Sequence, residues 1–397
     1  MNGLLDDILP RTGGLEPSTS KNINFVMMFF ALFTVVGIGF GVHSLIAGHE
    51  HTFGVTREVP WGALIAAYVF FVVTSTGLCI VSSIGHVFGI ENFAPIAKRA
   101  VYMSIITIIA GFIVIAFEIE NTWRMPVGNV IGANLSSNIW WMGTLYGAYL
   151  VFMIGEFILL QKGSHKKAAY FGLAGLLSGI AAHSNLGAVF GLLNGREFWH
   201  GPYMPIYFIA SAALSGCVTI IFCTYLAHSV NKWQMSYEQE KAMQSVGKMA
   251  ALTIAILIFF TIWKIIAGVA GHPPGKFLAM EALLQGPYAI NFWIGEITFG
   301  MIIPFIIILA VRAKNMKALF IASICTILGI FAMRYDLVIL GQVIPHYHGM
   351  GLMDYPELFT YKPTLHELMV AASGLTFCGF FLLLGEKLFR GHLSESH

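Results

Sequence analysis
The sequence predicts an all-α, polytopic membrane protein with about ten transmembrane helices and both termini in the cytoplasm. Composition points there first: 57% of the 397 residues are hydrophobic and 11% are charged, against about 25% charged in soluble domains. Spacing points there second. The apolar residues fall into blocks of roughly 20 or more, the length of helix that crosses a ~30 Å hydrocarbon core. Charge distribution, the third observation, orients the chain. Open sheets are excluded at that depth, because unpaired backbone groups find no water.

The spans fall at about 24–47, 60–87, 100–118, 137–161, 168–193, 203–228, 246–270, 288–311, 316–340 and 365–389. The first is no cleavable signal, because polar residues 1–23 precede it and it is as long as the others. That leading stretch holds Asp6, Asp7, Pro10, Gly13, Gly14 and Pro17 and reads as an N-terminal cytoplasmic tail. Residues 24–390 then form one integral membrane domain, and 391–397 a short C-terminal tail. In the eighth span, Pro304 predicts a bend. No short repeat is visible.

Of the 22 Lys and Arg, only Arg57, Arg124, Arg196, Lys264, Lys276, Arg334 and Lys362 fall on the face away from the termini. The other fifteen share the terminus-bearing face, which the positive-inside rule places in the cytoplasm. The outer face has the longer loops, 119–136, 271–287 and 341–364, carrying Trp123, His272, Pro273, Pro274, His346, His348 and Tyr355. These residues suit an interfacial belt or a docking surface for an external partner. A net charge of +2 with no basic stripe gives no sign of nucleic-acid binding.

Ionisable groups within a span cost ~2.5–3.5 kcal/mol on insertion scales, so each needs a reason. His43, Glu118, Glu120, His183, Glu296, Arg334, Asp336, His366 and Glu367 all gather toward the outer half. Helices that alternate in direction bring such residues to a similar depth, the pattern of a polar pocket near one surface. Glu120, His366 and Glu367 read as hydrated groups at the headgroup level, and Arg334 with Asp336 as a structural ion pair. His183 and Glu296 lie deeper. His183 is followed by Ser184, Asn185 and Gly187, an open polar patch; Glu296 is flanked by Gly295 and Gly300. A thinner polar set lies toward the cytoplasm: Thr74, Ser75, Thr76, Ser82, Ser83 and His86, with Glu156. Hydroxyls bonded back to their own helices explain most of it. Glu156, a lone carboxylate, needs a partner or a proton, so Glu156 and His86 are candidates for a proton path.

The five cysteines, Cys79, Cys217, Cys223, Cys325 and Cys378, all lie inside spans and none forms a CxxC pair. Neither an iron–sulfur cluster nor a disulfide framework is indicated. No metal site is predicted.

Four segments carry a resemblance: PWGALIAAYVFF at the second span, AHSNLGAVFG in the fifth, FWIGEITFGMIIP in the eighth and FAMRYDLVILGQ in the ninth. Over about residues 55–390, the chain resembles the NrfD/PsrC-like (polysulfide reductase membrane subunit) family. It is nearest to the ten-helix branch, with the membrane subunits of hydrogenase-2, DsrMKJOP and alternative complex III. The resemblance implies a membrane-anchor subunit of a respiratory oxidoreductase complex in a bacterial or archaeal inner membrane. Such a subunit has no haem or iron–sulfur cluster of its own. It exchanges electrons between the quinone pool (menaquinone) and a periplasmic, ferredoxin-like iron–sulfur subunit. A catalytic or multihaem cytochrome subunit lies beyond, and proton translocation can accompany turnover.

By position, His183, Glu118, Glu296 and Arg334 match polar positions of the family, and His43 resembles its first-helix histidine near the quinone. His183, Glu296 and Glu118 are therefore the catalytic candidates. His43, His183, Asn185, Arg334 and Glu296 are the quinone-binding candidates. The TWRMP segment departs from the family pattern, since Arg124 follows Trp123 instead of preceding it. A neutral histidine can hydrogen-bond a quinone carbonyl and exchange a proton near neutral pH, and a buried carboxylate can trade protons in the same range.

Two alternatives stand beside this. A haem b protein could pair His43 with His183 and His86 with His228; a secondary transporter or ion pump would also use bent helices and buried carboxylates.

Overall fold
The computed structural model describes residues 21–122, 124–348, 350 and 356–389. Ten helices long and apolar enough to span a membrane run through them, and no strand occurs among the described residues. They are α1 (Lys21–Ala47), α2 (Ala63–His86), α3 (Ala94–Glu118), α4 (Asn138–Gln161) and α5 (His165–Gly191). The second half holds α6 (Tyr203–Asn231), α7 (Tyr237–Val269), α8 (Asn291–Ala310), α9 (Met316–Val343) and α10 (Leu365–Leu388). Every expected span is present. Of the tails expected at 1–23 and 391–397, residues 21–23 are the described part and belong to α1; residues 1–20 and 390–397 lie outside the described residues, as do Trp123 and Tyr355.

Local chemistry sets several ends. Ser236 caps α7 in a reciprocal capping box with Gln239, so that helix starts nine residues before the expected span. Thr364 and Glu367 form the same box at α10. Lys232 adopts a left-handed conformation (φ 56°) that stops α6. Lys387 Nζ donates to Asn24 Oδ1 at 3.3 Å, which ties the two ends of the described chain to one face.

Helix α2 is the central post. In its most apolar stretch 89% of residues are buried inside the protein, against 17% in α1, which is left to the lipid. Without a hydrophobic drive between helices in lipid, close backbone approach at small residues does much of the packing. Gly77 of α2 and Gly216 of α6 are such a place: a Cβ on Gly216 would lie 2.0 Å from the Gly77 carbonyl carbon. Gly300 of α8 and Gly329 of α9 are another, with a Cβ on Gly329 only 2.1 Å from Gly300 Cα.

The bend expected in α8 takes a different form. Residues Asn291–Ile302 wind as a π-helix, and α-helical geometry resumes at Ile303, just before Pro304. The distortion lies before the proline, and Glu296 sits in its middle. π-turns are rare and concentrate at functional sites.

Short helices shape the loops opposite the chain ends: His49–Thr52, Arg124–Ile131 and Pro274–Leu284. There Glu197 accepts from the backbone N–H of Gly275 (2.6 Å) and meets His348 Nε2 (3.2 Å). Arg196 donates to the carbonyls of Gln342 (2.9 Å) and Glu58 (3.3 Å). Partial burial lowers the pKa of Arg196.

Gly216→Val should abolish a monodisperse peak in detergent size-exclusion chromatography. Gly39→Val, where a Cβ meets nothing within 4 Å, should leave the profile unchanged. Equal profiles for the two variants would refute the close-approach account of the α2–α6 crossing.

Candidate functional site
A buried polar cluster lies between α4, α5, α6, α7, α8 and α9, toward the loop-rich face. Tyr146, His183, Tyr207, Phe208, Ser211, Lys264, Glu296 and Arg334 stand four to nine residues from the ends of their helices at that face, or roughly 6–14 Å deep.

Arg334 is its centre and is fully buried. One terminal nitrogen donates to Ser211 Oγ, and the guanidinium carbon stands 4.7 Å from the centroid of the Phe208 ring. Its Nε and other terminal nitrogen have no hydrogen-bond partner among the described residues. The ion pair expected with Asp336 does not form. Two residues apart on a helix, the side chains diverge by about 200°, and Asp336 accepts from Asn291 Nδ2 at 2.6 Å instead. Glu296 is buried too, and Lys264 Nζ lies 3.2 Å from its Oε1. Lys264 also lines a cleft of about 180 Å³, walled by Trp199, His200, Tyr203, Trp263, Gly268 and Met280. The Lys264–Glu296 pair therefore joins the cleft to the interior.

His183 stands behind this pair, fully buried, with Tyr146 Oη 3.2 Å from its Nδ1 and the Phe208 carbonyl 3.0 Å from its Nε2. A carbonyl can only accept, so Nε2 carries the proton and Nδ1 accepts from Tyr146. Both nitrogens are engaged, and the open polar patch expected around this histidine is a closed network. Asn185 donates to the Asn138 carbonyl at 2.7 Å and joins α5 to α4 outside the network.

His43 and Glu118 belong to a separate cluster between α1, α3 and α10. His43 is exposed; its Nδ1 lies 3.1 Å from His366 Nε2, with the rings stacked. Glu118 has one buried carboxylate oxygen without a partner and lies close enough to Glu367 for the two charges to repel. Glu367 is fully buried, not hydrated as expected. It accepts from Tyr361 Oη (2.6 Å) and from the N–H groups of Gly54 and Thr364 (2.9 Å each). Burial and that carboxylate raise the pKa of Tyr361, keeping its phenol protonated as the donor. Burial lowers the pKa of His49 nearby, against an opposing pull from Glu120. The single pocket expected to hold His43, Glu118, His183, Glu296 and Arg334 is thus two clusters. Tyr335, flanking Asp336, and Tyr361 stand between them with ring centroids 6.3 Å apart.

Toward the face bearing the chain ends, His86 Nδ1 and Glu156 Oε1 meet at 3.6 Å in a buried pair, which joins the two proton-path candidates. Above them, Tyr149 donates to the Ser75 carbonyl at 3.0 Å, and Ser75 donates to that of Ser104 at 2.6 Å. Arg99 and Glu386 form a second, fully buried pair at 2.7 Å, with Arg99 also donating to Thr224 Oγ1 (3.3 Å). Hydropathy and charge counting place Arg99 among surface charges and do not single out Glu386. The available signal is that both lie within five residues of a helix end at the same face, on helices running in opposite directions. His228 has one nitrogen 2.8 Å from the Thr224 carbonyl and the other 3.1 Å from Gln239 Oε1.

A ten-helix bundle with a buried, partly unpaired guanidinium and two glutamate clusters under one face defines a multi-pass integral membrane protein with an interior polar site. The chain belongs to the family described as Polysulphide reductase, NrfD, whose pattern matches residues 52–346. It is similar to the Hdr-like menaquinol oxidoreductase integral membrane subunit of Archaeoglobus fulgidus, 26% identical over 93% of this chain and 94% of the relative. It is similar also to a selenate reductase subunit of Mesobacillus selenatarsenatis, 24% identical over 83% of this chain and 84% of the relative. A third relative, from Halobacterium salinarum, is named as a putative dimethyl sulfoxide reductase membrane subunit and is 22% identical over 89% of this chain and 88% of its own length.

Glu386→Gln should lower the thermal midpoint of the purified protein strongly, because removing one partner of a buried ion pair costs about 3–5 kcal/mol. The double variant Arg99→Met/Glu386→Leu should recover most of that loss. A midpoint for Glu386→Gln equal to wild type would show that the pair contributes nothing.

Proposed function
We propose that this chain is the membrane subunit of an oxidoreductase complex and exchanges electrons between a quinone in the membrane and an iron–sulfur subunit docked on the loop-rich face. The observation that carries this reading is Arg334, a buried cation with two nitrogens that have no hydrogen-bond partner among the described residues. Buried polar groups are nearly always bonded, so an exception asks for a ligand. A quinone carbonyl is a hydrogen-bond acceptor of the right kind. It gains negative charge as electrons arrive, and a guanidinium stabilises that charge most where water is excluded. The relative named as a menaquinol oxidoreductase subunit supports the substrate class, with menaquinone the particular quinone proposed.

In this scheme the headgroup enters by the cleft at Lys264, and its carbonyl accepts from Arg334. Reduction takes two electrons and two protons per quinone. Glu296, paired with Lys264 at the cleft wall, is placed to exchange protons with the headgroup. His183 acts as a positioning residue, fixing Tyr146 and the Phe208 carbonyl on the helix turn whose ring underlies Arg334. The His43–His366 pair and Glu118 stand apart from this site, nearer the loop-rich surface and beyond Tyr335 and Tyr361. That surface, held by the Arg196 and Glu197 contacts, faces the periplasm and receives the iron–sulfur subunit, with a catalytic or cytochrome subunit beyond. The face bearing the chain ends is cytoplasmic, in the inner membrane of a bacterium or archaeon.

His183→Ala should leave assembly normal while quinone-linked turnover of the complex falls at least tenfold, about 1.4 kcal/mol of barrier. His183→Gln should retain more, since an amide can donate to the Phe208 carbonyl and accept from Tyr146. Arg334→Leu should lose more than His183→Ala. Wild-type turnover in Arg334→Leu, or bound quinone found beside His86, would refute the assignment.

A proton route from the opposite face is favoured by one observation, the buried His86–Glu156 pair below the Tyr149–Ser75 hydroxyls. Glu156→Gln should slow proton uptake from that side in vesicles and leave quinone binding intact. An unchanged proton stoichiometry would exclude the route.

A further inference from the structure
Away from the polar site, a cavity of about 310 Å³ opens between α1, α2, α3, α6, α9 and α10. Its wall is apolar, with Phe30, Phe71, Met103, Phe222, Ile324 and Leu382 among the lining residues. At about 30 Å³ per molecule the volume would hold roughly ten waters, but cavities lined this way stay dry and take apolar ligands. It lies on a seam of the fold. At the chain-end face, α1 joins a small hydrophobic cluster of Ile23, Met27 and Leu383, separate from the main core, and Phe30 belongs both to that cluster and to the cavity wall. Helices α9 and α10 are consecutive yet do not pack side by side. Two residues of the wall between them, Leu328 and Leu375, are exposed at 61% and 52%. The opening therefore faces the bilayer at hydrocarbon depth.

Depth and charge select the occupant. Ile324 is eight residues from the chain-end terminus of α9 and Leu382 six from that of α10, or about 12 Å and 9 Å. Three of the cavity's helices end on that face with exposed lysines: Lys232 beside α6, Lys317 on α9 and Lys387 on α10. A hydrocarbon chain hanging from a headgroup at those lysines reaches the cavity, and basic groups at helix ends attract anionic headgroups. We infer that this cavity holds an acyl chain of an anionic phospholipid from the leaflet on the chain-end face, its phosphate against Lys317 and Lys387. The lipid fills this seam beside α1, which itself packs directly against α10. An isoprenoid quinone tail shares the hydrocarbon chemistry but has no charge to use these lysines.

The test uses the assembled complex, washed in detergent, with native mass spectrometry and lipid extraction. Wild type should retain a phospholipid through purification. Lys317→Gln/Lys387→Gln, at exposed positions outside the core, should weaken retention by about tenfold, which is 1.4 kcal/mol of affinity. Leu375→Trp, which closes the opening, should remove the phospholipid while the quinone content is unchanged. Equal retention in the lysine variant would overturn the proposal on its own, whether or not Leu375→Trp assembles. Displacement of a quinone instead of a phospholipid by Leu375→Trp would overturn it as well.

Discussion
A guanidinium buried in the membrane without a bonded carboxylate is the interaction on which the rest of this structure depends. Even on the lenient scale, an arginine at bilayer depth costs about 2.5–3.5 kcal/mol. The fold surrounds Arg334 with partial compensation: the Ser211 hydroxyl, the Phe208 ring face and the Glu296 carboxylate on the neighbouring helix. None of these neutralises it by a direct ion pair among the described residues. Glu296 bonds instead to Lys264. What remains is a positive, hydrogen-bond-donating site shielded from water, which suits an uncharged acceptor that becomes anionic during reaction.

The backbone around Arg334 is built for this. Gly300 and Gly329 let α8 and α9 come into backbone contact, and the π-helical winding of Asn291–Ile302 carries Asn291 and Glu296 together. Asn291 binds Asp336, which keeps that carboxylate from Arg334 two residues away. The closed His183–Tyr146–Phe208 network sets the far wall. Rigid support behind a reactive group, with the group itself left unsatisfied, is the arrangement that preorganised sites require.

Among the described residues, buried polar atoms without a hydrogen-bond partner occur toward both faces: on Arg334, Glu118 and Asp336 toward the loop-rich face, and on Glu156 and Glu386 toward the other. Only the Arg334 cluster reaches a cleft, through Lys264. Toward the other face, Arg99 with Glu386 and His86 with Glu156 make compact internal pairs, and the large apolar cavity lies beside the first of them. Arg99 and Glu386 link α3 to α10, so their pairing joins elements distant in sequence and contributes to the fold.

The sequence by itself determined the ten spans, the shared face of the chain ends and the family, because hydropathy and helix length answer directly to bilayer thickness. It also placed His183, Glu296 and Arg334 at one depth, since depth is a count of residues along each helix. It could not determine which side each of those residues faces. The tertiary structure decided that His43 and Glu118 stand in a cluster apart from Arg334, and that Asp336 pairs with Asn291. It also decided that Glu367 and Arg99, which hydropathy alone assigns to the hydrated surface, are sealed inside. The physical reason is rotational. A helix's register about its own axis is set by close approaches such as Gly77–Gly216 and Gly300–Gly329, and by the π-turn that shifts every side chain beyond it.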